Sequence, residues 1–145
     1  MSSTKPELEK YYKLREEYGV SIYVDRDTVY ITTPREKLVD IASKLFNEYQ
    51  CTFRTCVGTD ERPINGFFSL THIFTDDRSC LYVLVKTYLE SDDPRVPSIV
   101  SVVPGADWCE MEARDLLGIE FTGRQQYRLV LPPEWPNNVY PLRKE

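Results

Sequence analysis

A few side chains in this sequence carry groups able to do acid–base, nucleophilic or ligand chemistry, and their spacing decides between those roles. Glu112 and Asp115 lie three apart in a run that reads as a helix, so their carboxylates share one face, as a general acid and base could. No histidine stands beside them. The only histidine is His72, in a strand-like stretch. Ser–His–Asp and Cys–His catalysis would both need that residue, and no nucleophile motif accompanies it. On an apolar strand face, His72 reads as a satisfied core residue. Cys51, Cys56, Cys80 and Cys109 form no CxxC pair. Cys51 and Cys56, five apart on a strand, should point to opposite faces, which is wrong for two ligands of one metal. All four cysteines are expected as buried free thiols. There is no GxGxxG sequence and no Walker loop. The reading that remains for Glu112 and Asp115 is pairing with arginine across an interface, or a solvated acidic face.

The element that carries them has a clear start and stop. Asp107 can act as N-cap with Glu110 three residues on, as in a capping box, and Gly118 falls where a helix ends in a left-handed residue. Cys109, Ala113, Leu116 and Leu117 share an apolar face, with Trp108, Met111, Glu112 and Asp115 opposite. A tryptophan and a methionine beside two carboxylates predict a helix buried twice, on its own domain and against something else. Arg114 follows Glu110 by four, the spacing of a helix ion pair. Arg124 and Arg128 lie beyond the stop, within reach of carboxylates in the chain or on a partner.

The preceding residues read as a scaffold for this helix. Residues 6–18 make a helix closed by Gly19, with Leu8, Tyr11, Tyr12 and Leu14 at near-helical spacing. Residues 20–24 and 28–32 make a β-hairpin across Asp25, Arg26 and Asp27. Thr33, Pro34 and Glu36 predict a capped helix start, and its apolar stripe runs from Leu38 to Tyr49. Strands follow over residues 51–59, 67–74 and 80–89, with a loop at 60–66 and a turn at 75–78. Their short connections predict an antiparallel meander. The order predicts an α+β two-layer sandwich, mostly antiparallel, with helices on one face and an extended C-terminal tail. Residues 1–120 form the α+β domain, and residues 121–145 a proline-rich tail that docks on partner subunits.

Composition bounds the function. A chain of 145 residues fits one domain. Its net charge of −5 argues against nucleic-acid binding, which favours a basic stripe. No apolar run reaches the ~20 residues that span a bilayer, and the first residues lack a signal-peptide core, so a cytoplasmic location is expected. The tail holds Pro132, Pro133, Pro136 and Pro141, which exclude a helix over most of it. It also holds Tyr127, Leu129, Val130, Leu131, Trp135, Val139, Tyr140 and Leu142, too apolar for a disordered segment. An ordered, extended tail buried against a partner is expected, anchored by aromatic and arginine side chains.

The helix and tail resemble a known family. Glu110, Glu112, Asp115, Leu116, Leu117, Gly118, Ile119, Phe121 and Gly123, followed by Arg128, Leu129, Val130, Leu131 and Pro132, resemble the signature of the thirty-kilodalton subunit family. These are peripheral-arm subunits of respiratory complex I and of related membrane-bound nickel–iron hydrogenases. The similarity extends upstream to Pro97, Ser98, Ala106, Asp107 and Trp108. Downstream it takes in Trp135, Tyr140, Pro141, Leu142, Arg143 and Lys144. It is dense over residues 97–145, and before that only the order of elements agrees. Two positions depart: Met111 stands where the family usually has arginine, and Arg124 where it usually has histidine. The compact form and the Val139–Lys144 stretch look more like the hydrogenase or archaeal-type branch.

The resemblance implies a subunit with no cofactor or catalytic site of its own, peripheral on the cytoplasmic side of a membrane. It would pack against a large hydrogenase-like or quinone-type subunit and an iron–sulfur small subunit, with ion-translocating membrane subunits as indirect partners. Iron–sulfur clusters, and a nickel–iron centre in some members, would sit in those partners. The expected partner-facing residues are Trp108, Glu110, Met111, Glu112, Asp115, Arg124, Arg128, Trp135, Tyr140, Leu142 and Arg143. Alternatives are a subunit of an NADH- or deazaflavin-dependent quinone oxidoreductase, an interaction module unrelated to redox, and a free-standing enzyme using Glu112, Asp115 and His72.

Overall fold

The computed structural model describes residues 6–144, so the expectation about the first residues lies, through Lys5, outside them. A 3-10 turn, Pro6–Leu8, leads into α1 (Glu9–Tyr18), which Gly19 closes at φ 69°. The hairpin of β1 (Ser21–Asp25) and β2 (Thr28–Thr32) forms as its β-branched residues require. The next helix is a composite: a 3-10 turn Arg35–Lys37, then α2 (Leu38–Ser43), then a π-helical stretch Lys44–Glu48. Its expected capping box does not form. Pro34 occupies the cap position in an extended conformation, and Thr33 Oγ1 donates to the Pro34 carbonyl at 3.0 Å.

Strands β3 (Thr52–Asp60), β4 (Phe67–Asp76) and β5 (Leu81–Glu90) form the expected meander. The loop after β3 contains a short helix, α3 (Arg62–Asn65), and β4 runs two residues past its expected end, through Asp76. The sheet order is β1-β2-β5-β4-β3, and β2 pairs with β5 in parallel. A parallel pair needs a long crossover, and α2 with the β3–β4 hairpin supplies it. A second, small sheet pairs β6 (Arg95–Pro97) with β7 (Glu120–Thr122) in parallel. Strand β7 runs across residue 121, where the sequence reading divides domain from tail.

Alternation along the strands gives the sheet one covered and one open face. Val29, Ile31, Phe68, Leu70, Phe74, Val83, Val85 and Leu89 are buried with Leu14, Leu38, Ile41 and Leu45 from the helices. Tyr23, Tyr30, Tyr82, Tyr88 and Val57 lie exposed on the opposite side. Tyr11 is fully buried and donates to Asp76 Oδ2 at 2.6 Å, while Lys10 pairs with the same carboxylate at 2.7 Å, tying α1 to the end of β4.

Three expectations about buried groups are corrected. Cys80, at the turn before β5, is exposed and Cys109 only partly buried, so the four thiols are not all in the core. His72 is in the core, but neither ring nitrogen has a hydrogen-bond partner among the described residues, so it is not a satisfied residue. Cys51 and Cys56 do not point to opposite faces. A bulge between Phe53 and Thr55 shifts the register by one residue, and both thiols end under the helices, Cys51 beside Tyr11 and Cys56 beside Cys109.

Candidate functional site

A 3-10 turn, Pro104–Ala106, opens α4 (Asp107–Leu117), and Gly118 ends it at φ 77° as its spacing predicts. The helix lies on β3 because Gly58 leaves room for it. A Cβ on Gly58 would sit 2.6 Å from Leu117 Cδ1. Leu117, Ile119 and Phe121 are fully buried there, each worth roughly 1.5–3 kcal/mol of apolar burial.

The expected capping box at the start of α4 is absent, and no side chain caps the helix. Asp107 instead receives Arg124 through Nη2 and the Tyr127 hydroxyl at 2.8 Å. These contacts hold its carboxyl below the usual range, Arg124 acting most. Glu110 turns inward to full burial and bonds Ser98 Oγ at 2.6 Å, the Ile99 N–H at 2.9 Å and Arg124 Nη1 at 3.2 Å. Burial raises its pKa against the pull of those three donors. The expected Glu110–Arg114 pair is not the one formed. Arg124 takes Glu110, and Arg114 lies 3.4 Å from Asp115.

The tail covers the second face of α4. Asp115, only 2% exposed, accepts three consecutive backbone N–H groups on one oxygen: Leu129 at 2.8 Å, Val130 at 2.7 Å and Leu131 at 3.1 Å. Met111 is fully buried, with the Tyr127 N–H aimed at its sulfur at 3.3 Å. An arginine there would place a charge where no water reaches, which the thioether avoids.

Beyond Leu131 the tail is folded upon itself and returns to the helix end. Arg128 donates to the carbonyls of Pro132, Pro133 and Trp135 and to Asn137 Oδ1, at 2.7–3.2 Å. Prolines lack N–H groups but keep their carbonyls, and the guanidinium gathers them. Trp135 Nε1 bonds the Val139 carbonyl at 2.9 Å. The Leu142 N–H reaches the Leu116 carbonyl at 2.9 Å, and Arg143 Nε the Leu117 carbonyl at 2.7 Å, satisfying orphan acceptors at the helix C-terminus. Arg143 also stacks on Tyr140 and Phe68, at 4.4 and 5.0 Å from the ring centroids. The Lys144 N–H bonds Asp60 Oδ2 at 2.7 Å, and Arg62 pairs with the same carboxylate and holds it ionised far below its ordinary range. An open cleft of about 470 Å³ remains between the helix end and the tail, lined in part by Arg114, Asp115, Arg128, Trp135 and Tyr140.

The structure thus gathers the eleven residues singled out in the sequence along one helix and its tail, in two groups. Glu110, Met111, Asp115, Arg124, Arg128, Trp135, Tyr140 and Arg143 are engaged within the chain. Trp108, 71% exposed, with Glu112 and Leu142, faces outward, joined by the exposed side chains of Leu129, Val130 and Val139. Sequence reasoning did not assign roles to Ser98, Tyr127 or Asp60, whose contacts with Glu110, Asp107 and Lys144 span 12, 20 and 84 residues, spacings that no local pattern encodes. No group of three or more metal-ligating side chains occurs among the described residues, and no helix there is long and apolar enough to cross a membrane.

The family model of the respiratory-chain NADH dehydrogenase 30 Kd subunit matches residues 31–145. An NADH-quinone oxidoreductase subunit of Rhizobium meliloti (strain 1021) is 36% identical over 152 residues, covering 100% of this chain and 73% of that protein. Hydrogenase-4 component G of Escherichia coli (strain K12) is 32% identical over 121 residues, 82% of this chain; the chain spans only 22% of that protein's length. Among solved structures, the trypsin-resistant fragment of Nqo5 superposes with a TM-score of 0.72 at 21% identity, covering 83% of this chain and 98% of the fragment, and so shares the fold. The match over residues 31–145, which takes in the buried-carboxylate helix and its tail, shows that this chain belongs to the respiratory-chain NADH dehydrogenase 30 Kd subunit family.

Proposed function

We propose that this chain is a peripheral, positioning subunit of a complex-I-related membrane-bound oxidoreductase. It packs against a large hydrogenase-like or quinone-type subunit and an iron–sulfur small subunit. The observation that carries this reading is how the tail is held. Its backbone is anchored from within, by Asp115, Arg128, Leu116 and Asp60, while the side chains of Leu129, Val130, Val139 and Leu142 are exposed, as is Trp108 on the first turn of α4. A tail anchored by its backbone presents its apolar side chains with little further loss of entropy on docking. An exposed tryptophan is a typical interface anchor. The chain's contribution to electron transfer is then geometric. It holds partner clusters in register, and electrons pass through those clusters to a quinone or nickel–iron site. The hydrogenase-type assembly is our preferred reading; the similarity to hydrogenase-4 component G supports it, and the similarity to the NADH-quinone oxidoreductase subunit of Rhizobium meliloti supports the alternative, a quinone reductase.

Co-expression with the large and iron–sulfur subunits tests this. Trp108→Ala, Glu112→Ala and deletion after Leu131 should each lower the yield of the co-purified complex, with the circular dichroism of the separate chain retained for the point variants. A truncated chain that co-purifies at the full level would sink the reading. Nickel in the co-purified large subunit supports the hydrogenase-type assembly, and its absence with retained quinone reduction favours the alternative.

A further inference from the structure

Cys56 and Cys109 are 53 residues apart, yet β3 and α4 bring their sulfurs to 2.8 Å. The space left by Gly58 at the same helix–strand contact permits this approach. Both are free thiols, and nothing in the family positioning role uses them. The pair is asymmetric. Cys56 is buried, and Cys109, on the first turn of α4, is partly exposed. Closing the gap to a disulfide of ~2.05 Å needs a movement of about 0.8 Å, within the reach of side-chain torsions.

We propose that Cys56 and Cys109 form a redox-active dithiol that exchanges with low-molecular-weight disulfides and locks α4 covalently to β3. The Cys109 thiolate attacks one sulfur of a disulfide RSSR, forming the mixed disulfide Cys109–S–SR and releasing RS⁻, which takes up the proton Cys109 gave up. Cys56 then attacks the Cys109 sulfur. Its proton goes to the departing second thiolate, and the products are the Cys56–Cys109 disulfide and two RSH. The two cysteines lose two electrons and RSSR gains two. The division of roles follows the geometry. The hydrogen bond from Cys56 lowers the pKa of Cys109, and the same bond, with burial, raises that of Cys56. Once Cys109 is in the mixed disulfide there is no thiolate left to hold the Cys56 proton. Disulfides within reducing compartments are commonly of this transient kind.

The test uses the full chain carrying Cys80→Ser, because Cys80 is the exposed thiol and would react independently. Treatment with excess oxidised glutathione should remove two of the remaining three thiols. Peptide mapping should find Cys56 linked to Cys109, and the melting temperature should rise by roughly 5–10 °C until dithiothreitol reverses it. With Cys56→Ser added, one glutathione should be trapped on Cys109. With Cys109→Ser added instead, Cys56 should stay unmodified. Retention of all three thiols, a persistent glutathione adduct on Cys109 while Cys56 is present, or a crosslink through Cys51 would each overturn the proposal.

Discussion

One oxygen of Asp115 accepts the backbone N–H of Val130 at 2.7 Å, and the same oxygen holds the two flanking N–H groups. A helix carboxylate thereby fixes the path of a segment that has no regular structure of its own. The tail's outward face follows from that anchor, since three successive amides pointing inward set where the side chains between them go.

Asp115→Ala should release residues 128–131 from the helix. The loss of a buried, charged acceptor costs about 2 kcal/mol, limited by water reaching the freed amides once the tail swings away. Hydrogen exchange read by mass spectrometry should show faster exchange in the tail peptide, with β4 and β5 unchanged. Asp115→Asn keeps an acceptor oxygen and should give the smaller effect. Equal protection in Asp115→Ala and the unaltered chain would contradict the anchoring role.

Arg124→Ala should destabilise more. It leaves Glu110 without its arginine while wholly buried and frees Asp107, an effect of about 3 kcal/mol for removing one partner of a buried pair. Arg124→Ala with Glu110→Gln should recover part of the loss in chemical denaturation, because the unpaired charge is then gone. Additive losses in the double variant would show that the two side chains are not coupled.

His72 makes stability depend on pH with a definite sign. Burial lowers its pKa from 6.5 to about 4 in the folded chain. Between those values the unfolded chain binds the extra proton, so stability falls as the pH drops from 6.5 toward 4. The full window is worth about 3 kcal/mol. Glu110, whose pKa is raised by burial, contributes the opposite slope just above its ordinary carboxylate value, and so the comparison must be differential. His72→Leu should be more stable than the parent at pH 5 by a larger margin than at pH 7.5. A pH-independent difference between the two proteins would show that His72 carries no such linkage.

Gly118→Ala should loosen the tail from its far end. The position has φ 77°, and an added Cβ would meet Arg143 Nη2 at 2.5 Å and Tyr140 Cε2 at 2.7 Å. Left-handed strain and this clash together should cost about 1–2 kcal/mol and unseat Arg143 from the Leu117 carbonyl. Loss of protection at the Leu142 amide is the readout, and an unchanged exchange rate there would refute it.

Much of the scaffold was legible because it is local. Alternation from Leu81 to Leu89 and the stripe from Leu38 to Leu45 record the burial of one face, whatever that face meets. The stop at Gly118 was legible for the same reason, since a left-handed residue is recorded in its own identity. The two capping boxes fail because a cap competes with other partners. Asp107 and Glu110 found Arg124, and Thr33 was displaced by the extended Pro34.

The sequence by itself determined the α+β order, the helix that carries Glu110, Glu112 and Asp115, the non-helical tail, and through its motif the family. Each of these is written within a few residues or a few turns. Only the tertiary structure decided which carboxylate does what. Glu112 and Asp115 share a helical face by spacing, yet one faces outward and the other is buried under Leu129, Val130 and Leu131. The parallel pairing of β2 with β5, the bulge that turns Cys51 and Cys56 to the same side, and the meeting of Cys56 with Cys109 belong to the same class. Each depends on segments far apart in the chain, whose partners are chosen by how the whole core closes.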